Sequence, residues 1–276
     1  TFLGIERCDL DKPETFKDAD VVIVGAPIDS GTSHRSGAKF GPQAIRMGDY
    51  LPHDGERPHL ALRTDGLKDL KVVDAGDLIM NGGDLVGSLK LLEAATEKIS
   101  KAGAIAVVLG GDHSIASADV AGIANHRGKG KVSMIHFDAH ADTGADQFGA
   151  LVGHGTPMRR LIENGHVRGD RFLQLGLRGY WPDDATLNWM RDQGMRSYEM
   201  TEIHHRGLKT VLDESFSILT DGCDGVFLSV DIDVVDPGMA PGTGTPEPGG
   251  MTSRELLEAV RRICLELPIV GIDVVE

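Results

Sequence analysis

The sequence predicts an α/β fold, a parallel β-sheet with helices packed on both of its faces. Short apolar, β-branched runs recur along the chain, and longer amphipathic or alanine-rich stretches alternate with them. A strand that is apolar on both sides must be covered on both, and helices lying between successive strands supply the cover. Strands are read at Val21–Gly25, Lys71–Ala75, Ile105–Leu109, Val132–Phe137, Phe172–Leu175, Arg196–Tyr198, Val226–Val230 and Ile269–Val274. The clearest helices are Leu85–Lys101, Ser114–His126, Thr156–Asn164 and Thr252–Glu266. In the last of these, Thr252 or Ser253 is placed to cap the first turn. Leu256, Leu257, Val260, Ile263 and Cys264 share its apolar face. Eight such strands can close into a barrel or lie in an open, doubly wound sheet, and the residues alone leave both open. No repeat, charge block or low-complexity linker divides residues 1–276, so the chain reads as one domain.

Composition narrows the function. A net charge of -14 at pH 7 argues against a nucleic-acid surface, which needs a cationic face, and draws small cations instead. Apolar runs such as Ala104–Leu109 and Val21–Val24 are far too short to cross a bilayer, so no membrane partner is expected. Cys8, Cys223 and Cys264 are widely spaced, odd in number and form no CxxC pair, which points to a reducing cytoplasm. The chain begins without methionine and stops at Glu276 on an apolar run, as a chain trimmed at its extreme ends would. A nucleotide-binding oxidoreductase would need a phosphate-binding fingerprint. GxxxxGK[ST] does not occur, and Gly242-x-Gly244 lies in a proline-rich loop rather than at a strand-to-helix turn.

Three strand ends carry the chemistry. After the fourth strand, Asp138, His140 and Asp142 alternate, and alternate side chains on extended backbone share a face. After Val226–Val230 come Asp231 and Asp233, again alternating. After Ile105–Leu109, the pair Gly110-Gly111 allows a sharp turn and leaves His113 at the rim, just before a helix. Ligands in parallel α/β sheets bind at such strand ends. Four aspartates and two histidines on one rim would repel without cations, and two divalent metals resolve the conflict. Their charge, less that of a bridging hydroxide, leaves the cluster near -1 and suits a substrate with one positive charge. Oxygen-rich ligands with some imidazole and no thiolate favour manganese over zinc, and a metal pair supplies hydroxide at neutral pH. Other residues have plainer readings: Asp74 and Asp77 as turn formers, adjacent His204 and His205 as surface residues, Trp181 and Trp189 as packing.

Taken with these features, GGDHS at Gly110–Ser114, FDAHAD at Phe137–Asp142 and SVDIDVVDP at Ser229–Pro237 resemble the three signature segments of the ureohydrolases, the arginase and agmatinase family, in the family's order. APGTGTPEPGG at Ala240–Gly250 and GTSHRSGAKFGPQAIR at Gly31–Arg46 resemble further family segments, so the likeness covers nearly the whole chain. It implies a three-layer αβα fold with an open eight-stranded parallel sheet. It implies that His113, Asp138, His140, Asp142, Asp231 and Asp233 hold two Mn2+, or another divalent ion such as Ni2+. It further implies homo-oligomers, commonly hexamers or trimers. His154, in Gly153–Pro157, resembles the family's proton-transfer histidine, and Glu276 resembles the carboxylate that holds the guanidinium group. The implied reaction is attack of metal-activated hydroxide, oriented by Asp142, on a guanidinium carbon. Urea and an amine leave, the amine protonated by His154.

The loop Thr143–Val152 contains no asparagine, unlike the arginase loop that holds the α-carboxylate and α-amine of arginine. This departure points to the agmatinase and guanidinobutyrase branch. Agmatine is the expected substrate, with Asp146 meeting its distal ammonium. 4-Guanidinobutanoate is the alternative, which would call on a cation such as Arg159 or Arg160. A non-catalytic relative is disfavoured because all six ligand positions are filled by competent residues.

Overall fold

The computed structural model describes residues 1–48 and 58–276. In chain order its strands are β1 (Glu6–Arg7), β2 (Val21–Ala26), β3 (Val72–Asp77), β4 (Ile105–Gly110), β5 (Val132–Phe137), β6 (Val167–Leu177), β7 (Arg196–Glu199), β8 (Gly225–Asp231) and β9 (Ile269–Val275). Its α-helices are α1 (Gly41–Met47), α2 (Gly66–Asp69), α3 (Leu85–Lys101), α4 (Ala116–Arg127), α5 (Pro157–Glu163), α6 (Asp184–Asp192), α7 (Met200–Arg206), α8 (Leu208–Thr220) and α9 (Ser253–Glu266).

Among the described residues the strands form one nine-stranded sheet in the order β1-β3-β2-β4-β9-β8-β5-β6-β7. Every neighbouring pair is parallel, and the edges β1 and β7 do not meet, so the sheet is open and not a barrel. The sheet has nine strands where the sequence predicts eight. The added β1 is two polar, exposed residues, too short to leave an apolar signature. Strands β4, β9, β8 and β5 fill the centre, so the C-terminal ends that carry the three predicted segments lie side by side.

Alternate residues of the central strands pack into different layers. Val132 and Met134 join Leu92 and Ile99 of α3, Val120 and Ile123 of α4 and Met158 of α5. Ile135 and Phe137 join Ile203 of α7, Val211 and Leu212 of α8 and Ile263 of α9 on the opposite face. Each such aliphatic side chain contributes about 1.5–3 kcal/mol when fully buried. The continuous apolar runs in the sequence are therefore strands covered twice.

Helix α9 starts on a capping box in which Thr252, not Ser253, is the cap and Glu255 completes it. Its buried stripe is Leu256, Ala259 and Ile263, whereas Leu257 is largely exposed, so the apolar face is narrower than the sequence suggested. The helix predicted from Ser114 begins as a 3-10 turn at His113–Ile115 before α4. Asp74 is a further correction, because it lies inside β3 and is fully buried, not in a turn. Its carboxylate receives both Nε and Nη2 of Arg46 at 2.9 Å, and the backbone amides of Phe2 and Gly76. Asp77, at the end of β3, receives Nη1 of the same Arg46. His204 and His205 are both exposed, as expected, although their rings touch edge-on at 5.4 Å between centroids.

Candidate active site

Each central strand delivers its polar groups by a different local device. On β4, Gly111 has φ +42, and a Cβ there would lie 2.4 Å from the carbonyl oxygen of Ala26. Only glycine lets the chain turn this close to β2, and the turn swings His113 over the sheet edge. On β5 the strand stops at Phe137 and the chain bends. Asp138 Oδ1 accepts the backbone N–H of His140 at 2.6 Å, and Asp142 sits in the left-handed region at φ +52. This corrects the pleat argument. On a continued strand Asp138 and Asp142 would share a face but stand about 13 Å apart, too far to meet at one point. The bend brings them together. On β8, Asp231 ends the strand and its Oδ1 accepts the N–H of Asp233 at 2.8 Å, which folds Asp233 back in a 3-10 turn. On β9, Glu276 follows the last strand residue, and its N–H donates to Gly111 O at 2.9 Å.

The structure brings all six predicted donors together. His113 Nδ1 lies 3.0 Å from Asp138 Oδ2, 3.2 Å from Asp142 Oδ2 and 3.1 Å from Asp231 Oδ2. His140 Nδ1 lies 3.0 Å from Asp233 Oδ2 and 3.4 Å from Asp138 Oδ1. Asp138 thus gives one oxygen to each of two adjoining groups of potential metal ligands. The first group is His113, His136, Asp138 and Asp142, and the second is Asp138, His140 and Asp233. His136 was missed in the sequence, although it stands two residues before Asp138 on the same strand face. Its Nε2 is 2.8 Å from Asp138 Oδ2, and its Nδ1 is 3.1 Å from Gln174 Nε2.

The electrostatics of this cluster call for cations. Burial, then the charge of Asp138, pushes the Asp233 carboxyl up to about 6. Burial, then Asp233 and Asp138, pushes Asp231 well above the usual carboxylate range. Burial alone would keep His140 neutral, but hydrogen bonds to Asp138 and Asp233 outweigh it and drive its pKa up to about 12. Crowded acids that lack counter-charge hold protons. Oxygen donors with two or three imidazoles and no thiolate fit a pair of hard or borderline divalent ions.

His154 and Glu276 form a second constellation beside the cluster. His154 Nδ1 is 2.8 Å from Glu276 Oε1, and that oxygen also accepts the backbone N–H of His113 at 2.9 Å. The other oxygen, Glu276 Oε2, is buried and has no hydrogen-bond partner among the described residues. Glu276 therefore offers one oxygen toward a ligand, the other being shared by His154 and His113 N–H. Burial disfavours the charged form of His154, but the hydrogen bond and charge of Glu276 prevail and raise its pKa. Ser33 was also missed in the sequence. Its N–H donates to His154 Nε2 at 3.0 Å and its Oγ lies 2.6 Å from the same nitrogen.

A cleft of about 380 Å³ opens over these groups, lined by His140, Asp142, Asp231, His154, Asp146, Ser33 and others, with no lysine or arginine among the described residues that line it. Asp146 stands at the exposed mouth, where its Oδ1 accepts Gly149 N–H at 2.9 Å. Its neighbour Gln147 ties the loop down, donating to Gly31 O at 2.8 Å and accepting Gly155 N–H at 2.9 Å. Trp181 is 41% exposed and lines the cleft, so its reading as a packing residue is corrected. Trp189 is partly buried against the core, with the Arg159 guanidinium stacked 4.3 Å from its ring centre.

Arg178 was invisible to sequence reasoning, because its partners are all backbone. Its guanidinium donates to the carbonyls of Gly176, Asp233, Val234, Glu247 and Pro248 at 2.6–3.3 Å. It thereby pins the segment that follows β8 to the end of β6. Arg178→Met is expected to cost about 2–3 kcal/mol by leaving carbonyls unpaired. Amide exchange in residues 233–250 should quicken in that variant. A urea-unfolding midpoint equal to the parent's would disprove the clamp.

The fold and site define a class: an open parallel α/β protein whose central strand ends hold a carboxylate–imidazole centre suited to divalent cations. The family model described as "Arginase family" matches residues 19–276. The chain is 38% identical over 267 residues to guanidinobutyrase of Pseudomonas aeruginosa, covering 96% of this chain and 80% of that protein. It is 37% identical over 274 residues to agmatinase of Cronobacter sakazakii, covering 99% and 84%. The solved structure of proclavaminate amidinohydrolase from Streptomyces clavuligerus superposes with a TM-score of 0.85 at 35% identity, covering 99% and 86%. This chain belongs to the arginase family, and it is a hydrolase of the ureohydrolase type. None of its described helices is long and apolar enough to cross a membrane.

Proposed function

We propose that the protein is an agmatinase, which hydrolyses agmatine to putrescine and urea on two Mn2+ ions, with Ni2+ as a possible substitute. The ions would be held by His113, Asp138, His140, Asp142, Asp231 and Asp233. The observation that carries the choice of substrate is the lining of the cleft, acidic from floor to mouth and without a lysine or arginine among its described residues. Agmatine is cationic at both ends, and Asp146 at the mouth suits its distal ammonium. A guanidino acid would need a cation there. Arg159 is engaged by Glu163 and Trp189, and Arg160 by Glu163 and Ala145 O. The likeness to a guanidinobutyrase favours 4-guanidinobutanoate as the second reading, and 38% against 37% identity does not separate the two.

When bound, the ions would supply an activated water at neutral pH and stabilise negative charge that develops on oxygen. The remaining work falls to the protein. Glu276 Oε2, buried and unpartnered, accepts an N–H of the guanidinium and holds it over the cluster. Asp142 accepts a hydrogen bond from the attacking water and orients it. A C–O bond forms at the guanidinium carbon, and the C–N bond to the aminobutyl chain breaks. His154, anchored on Glu276 through Nδ1, delivers a proton to the departing nitrogen. His154→Ala is expected to lower kcat about 10²–10⁴-fold while both ions stay bound, as measured by metal analysis of the same sample. We place the enzyme in the cytoplasm as a homo-oligomer, a hexamer or trimer. Its three cysteines are unpaired, and Phe148 and Tyr180 leave large apolar surfaces exposed.

The deciding experiment is urea release by the manganese-loaded protein from agmatine, 4-guanidinobutanoate, 3-guanidinopropanoate, arginine and guanidine. Agmatine should lead in kcat/KM by about 10-fold or more, the worth of roughly one charge contact. Asp146→Asn should raise its KM. A lead for 4-guanidinobutanoate would transfer the assignment to the guanidino-acid branch, and an unchanged KM would remove Asp146 from the site.

A further inference from the structure

Both ring nitrogens of His154 are engaged, and the partner on one side is a hydroxyl. Glu276 Oε1 is an acceptor, since it receives the backbone N–H of His113, so His154 Nδ1 carries the hydrogen it shares with that oxygen. Nε2 has two partners among the described residues, and both belong to Ser33: the backbone N–H at 3.0 Å and the hydroxyl at 2.6 Å. A backbone amide can only donate, so Nε2 presents its lone pair to Ser33. The resting ring is neutral, with its proton on the Glu276 side.

Ser33 is held in this place by the segment that carries it. The Gly31 N–H donates to buried Asp112 Oδ2 at 2.7 Å, and Gly31 O accepts the backbone N–H of His154 at 2.9 Å. A Cβ on Gly31 would lie 2.8 Å from Asp112 Oδ1 and 2.9 Å from Ser114 Cβ, so the segment packs against the loop after β4 as only glycine allows. The backbone and the ring of His154 thus bond to the same three residues, 31–33. His154 is 8% exposed whereas Ser33 is exposed, and both line the cleft. A proton that passes between Nε2 and the cleft meets the Ser33 hydroxyl first.

We infer that Ser33 is a catalytic residue whose hydroxyl relays the proton from His154 to the departing nitrogen. The inference rests on the reading of the site as a guanidine hydrolase with His154 as its acid. Before the step, His154 carries a hydrogen on each nitrogen, the second taken from water through the same hydroxyl. As the C–N bond breaks, its electron pair stays on nitrogen and takes the Ser33 hydroxyl hydrogen. The O–H pair left on Oγ takes the hydrogen of Nε2, whose bonding pair becomes a lone pair. Nδ1–H stays on Glu276 throughout. Ser33 ends unchanged, and His154 ends in the neutral state that the geometry shows. The Ser33 amide loses its acceptor while Nε2 is protonated and regains it afterwards, so it favours transfer away from the ring.

The test is the single-turnover rate of urea formation by the manganese-loaded full chain, with the best guanidine of the panel above, in mixtures of H2O and D2O. Two hydrogens move together in the relay, so the parent's rate should fall along a curve as the D2O fraction rises. Ser33→Ala should lower the rate about 10²-fold with metal content unchanged, and its plot should be a straight line. Ser33→Thr keeps a hydroxyl at an exposed position and should restore both the rate and the curve. Members of one relay act as a unit, so Ser33→Ala added to His154→Ala should bring no further loss. Circular dichroism and metal analysis establish that each variant is folded and loaded. A straight line in the parent would overturn the relay whatever the variants do. So would an unchanged rate in Ser33→Ala, a slowed Ser33→Ala that keeps the parent's curve, or a full second loss in the double variant. In each of these cases urea release by the parent leaves the functional reading standing. A parent that releases urea from no guanidine would overturn both.

Discussion

Asp138→Asn is expected to abolish both the metal content and the activity, lowering urea release about 10³-fold or more and leaving fewer than two ions per chain. The reason is the division of labour within one carboxylate. Asp138 Oδ2 faces His113 and His136, whereas Oδ1 faces His140 and receives its backbone N–H. An asparagine keeps the shape but supplies a neutral carbonyl on one side and a donor N–H on the other. Whichever way the amide turns, one group of ligands meets a donor where it needs an acceptor. Loss of one preorganised electrostatic contact costs about 10²–10³-fold, and here two groups are disturbed at once. Metal analysis together with a urea assay checks both halves. A variant that retained two ions and at least a tenth of the parent's rate would contradict the shared role of Asp138.

Arg46→Met is expected to destabilise the protein by about 3–5 kcal/mol, because it strands a buried carboxylate. The Arg46 side chain is 12% exposed and that of Asp74 is 0% exposed, so solvent screens the pair little. For a domain of this size the loss corresponds to a fall of about 10 °C in Tm. The effect should depend on pH in a definite direction. Burial alone would raise the Asp74 carboxyl, but hydrogen bonds from Arg46, Phe2 N and Gly76 N overcome it and hold it below its ordinary value. A carboxyl depressed in the folded state stabilises above its unfolded pKa, roughly 3.9, and that stabilisation is lost as pH falls through the folded value. In the variant, burial acts on Asp74 with less opposition and raises its pKa, so acid relieves the strain by protonation. The gap in Tm between parent and variant should therefore be widest near pH 7 and narrow toward pH 4. A gap that widened in acid would exclude Asp74 as its source.

How much of this was legible in the sequence depended on whether a feature is written locally. The central strands were, because Val132–Phe137 and Val226–Val230 are buried on both faces and are mostly apolar, with Ser133, His136 and Ser229 the polar residues within them. The edge strand β1 was not, since Glu6 and Arg7 are exposed and owe their pairing to β3. Helix α8 carries Leu208, Val211, Leu212, Ser215 and Leu219 at helical spacing, and the same periodicity that marked α9 could have found it. The six donors were readable as residue types after apolar runs, yet the reason they converge was misread. Alternation places side chains on one face, but the bend after Asp138 and the positive φ of Asp142 place them at one point. Ser33, Gln147 and Arg178 left no local trace. Ser33 reaches a histidine 121 residues away, and Arg178 bonds only to carbonyls, which every residue possesses. His136 did leave a trace, two residues before Asp138 on a strand.

The position of β9 bears on how such a molecule comes into being. It is the last strand in sequence, yet it lies between β4 and β8 at the middle of the sheet. The groups around the cleft come from residues as far apart as His113 and Glu276, and the two are joined directly by a hydrogen bond. Until β9 is inserted, β4 and β8 present open edges and no complete cleft exists. Contacts of such long sequence separation form slowly, because loop closure must precede them. Added manganese can therefore reward only a nearly finished chain. It should slow unfolding of the native protein far more than it speeds refolding, and a folding time course begun with the ion present should match one to which the ion is added late.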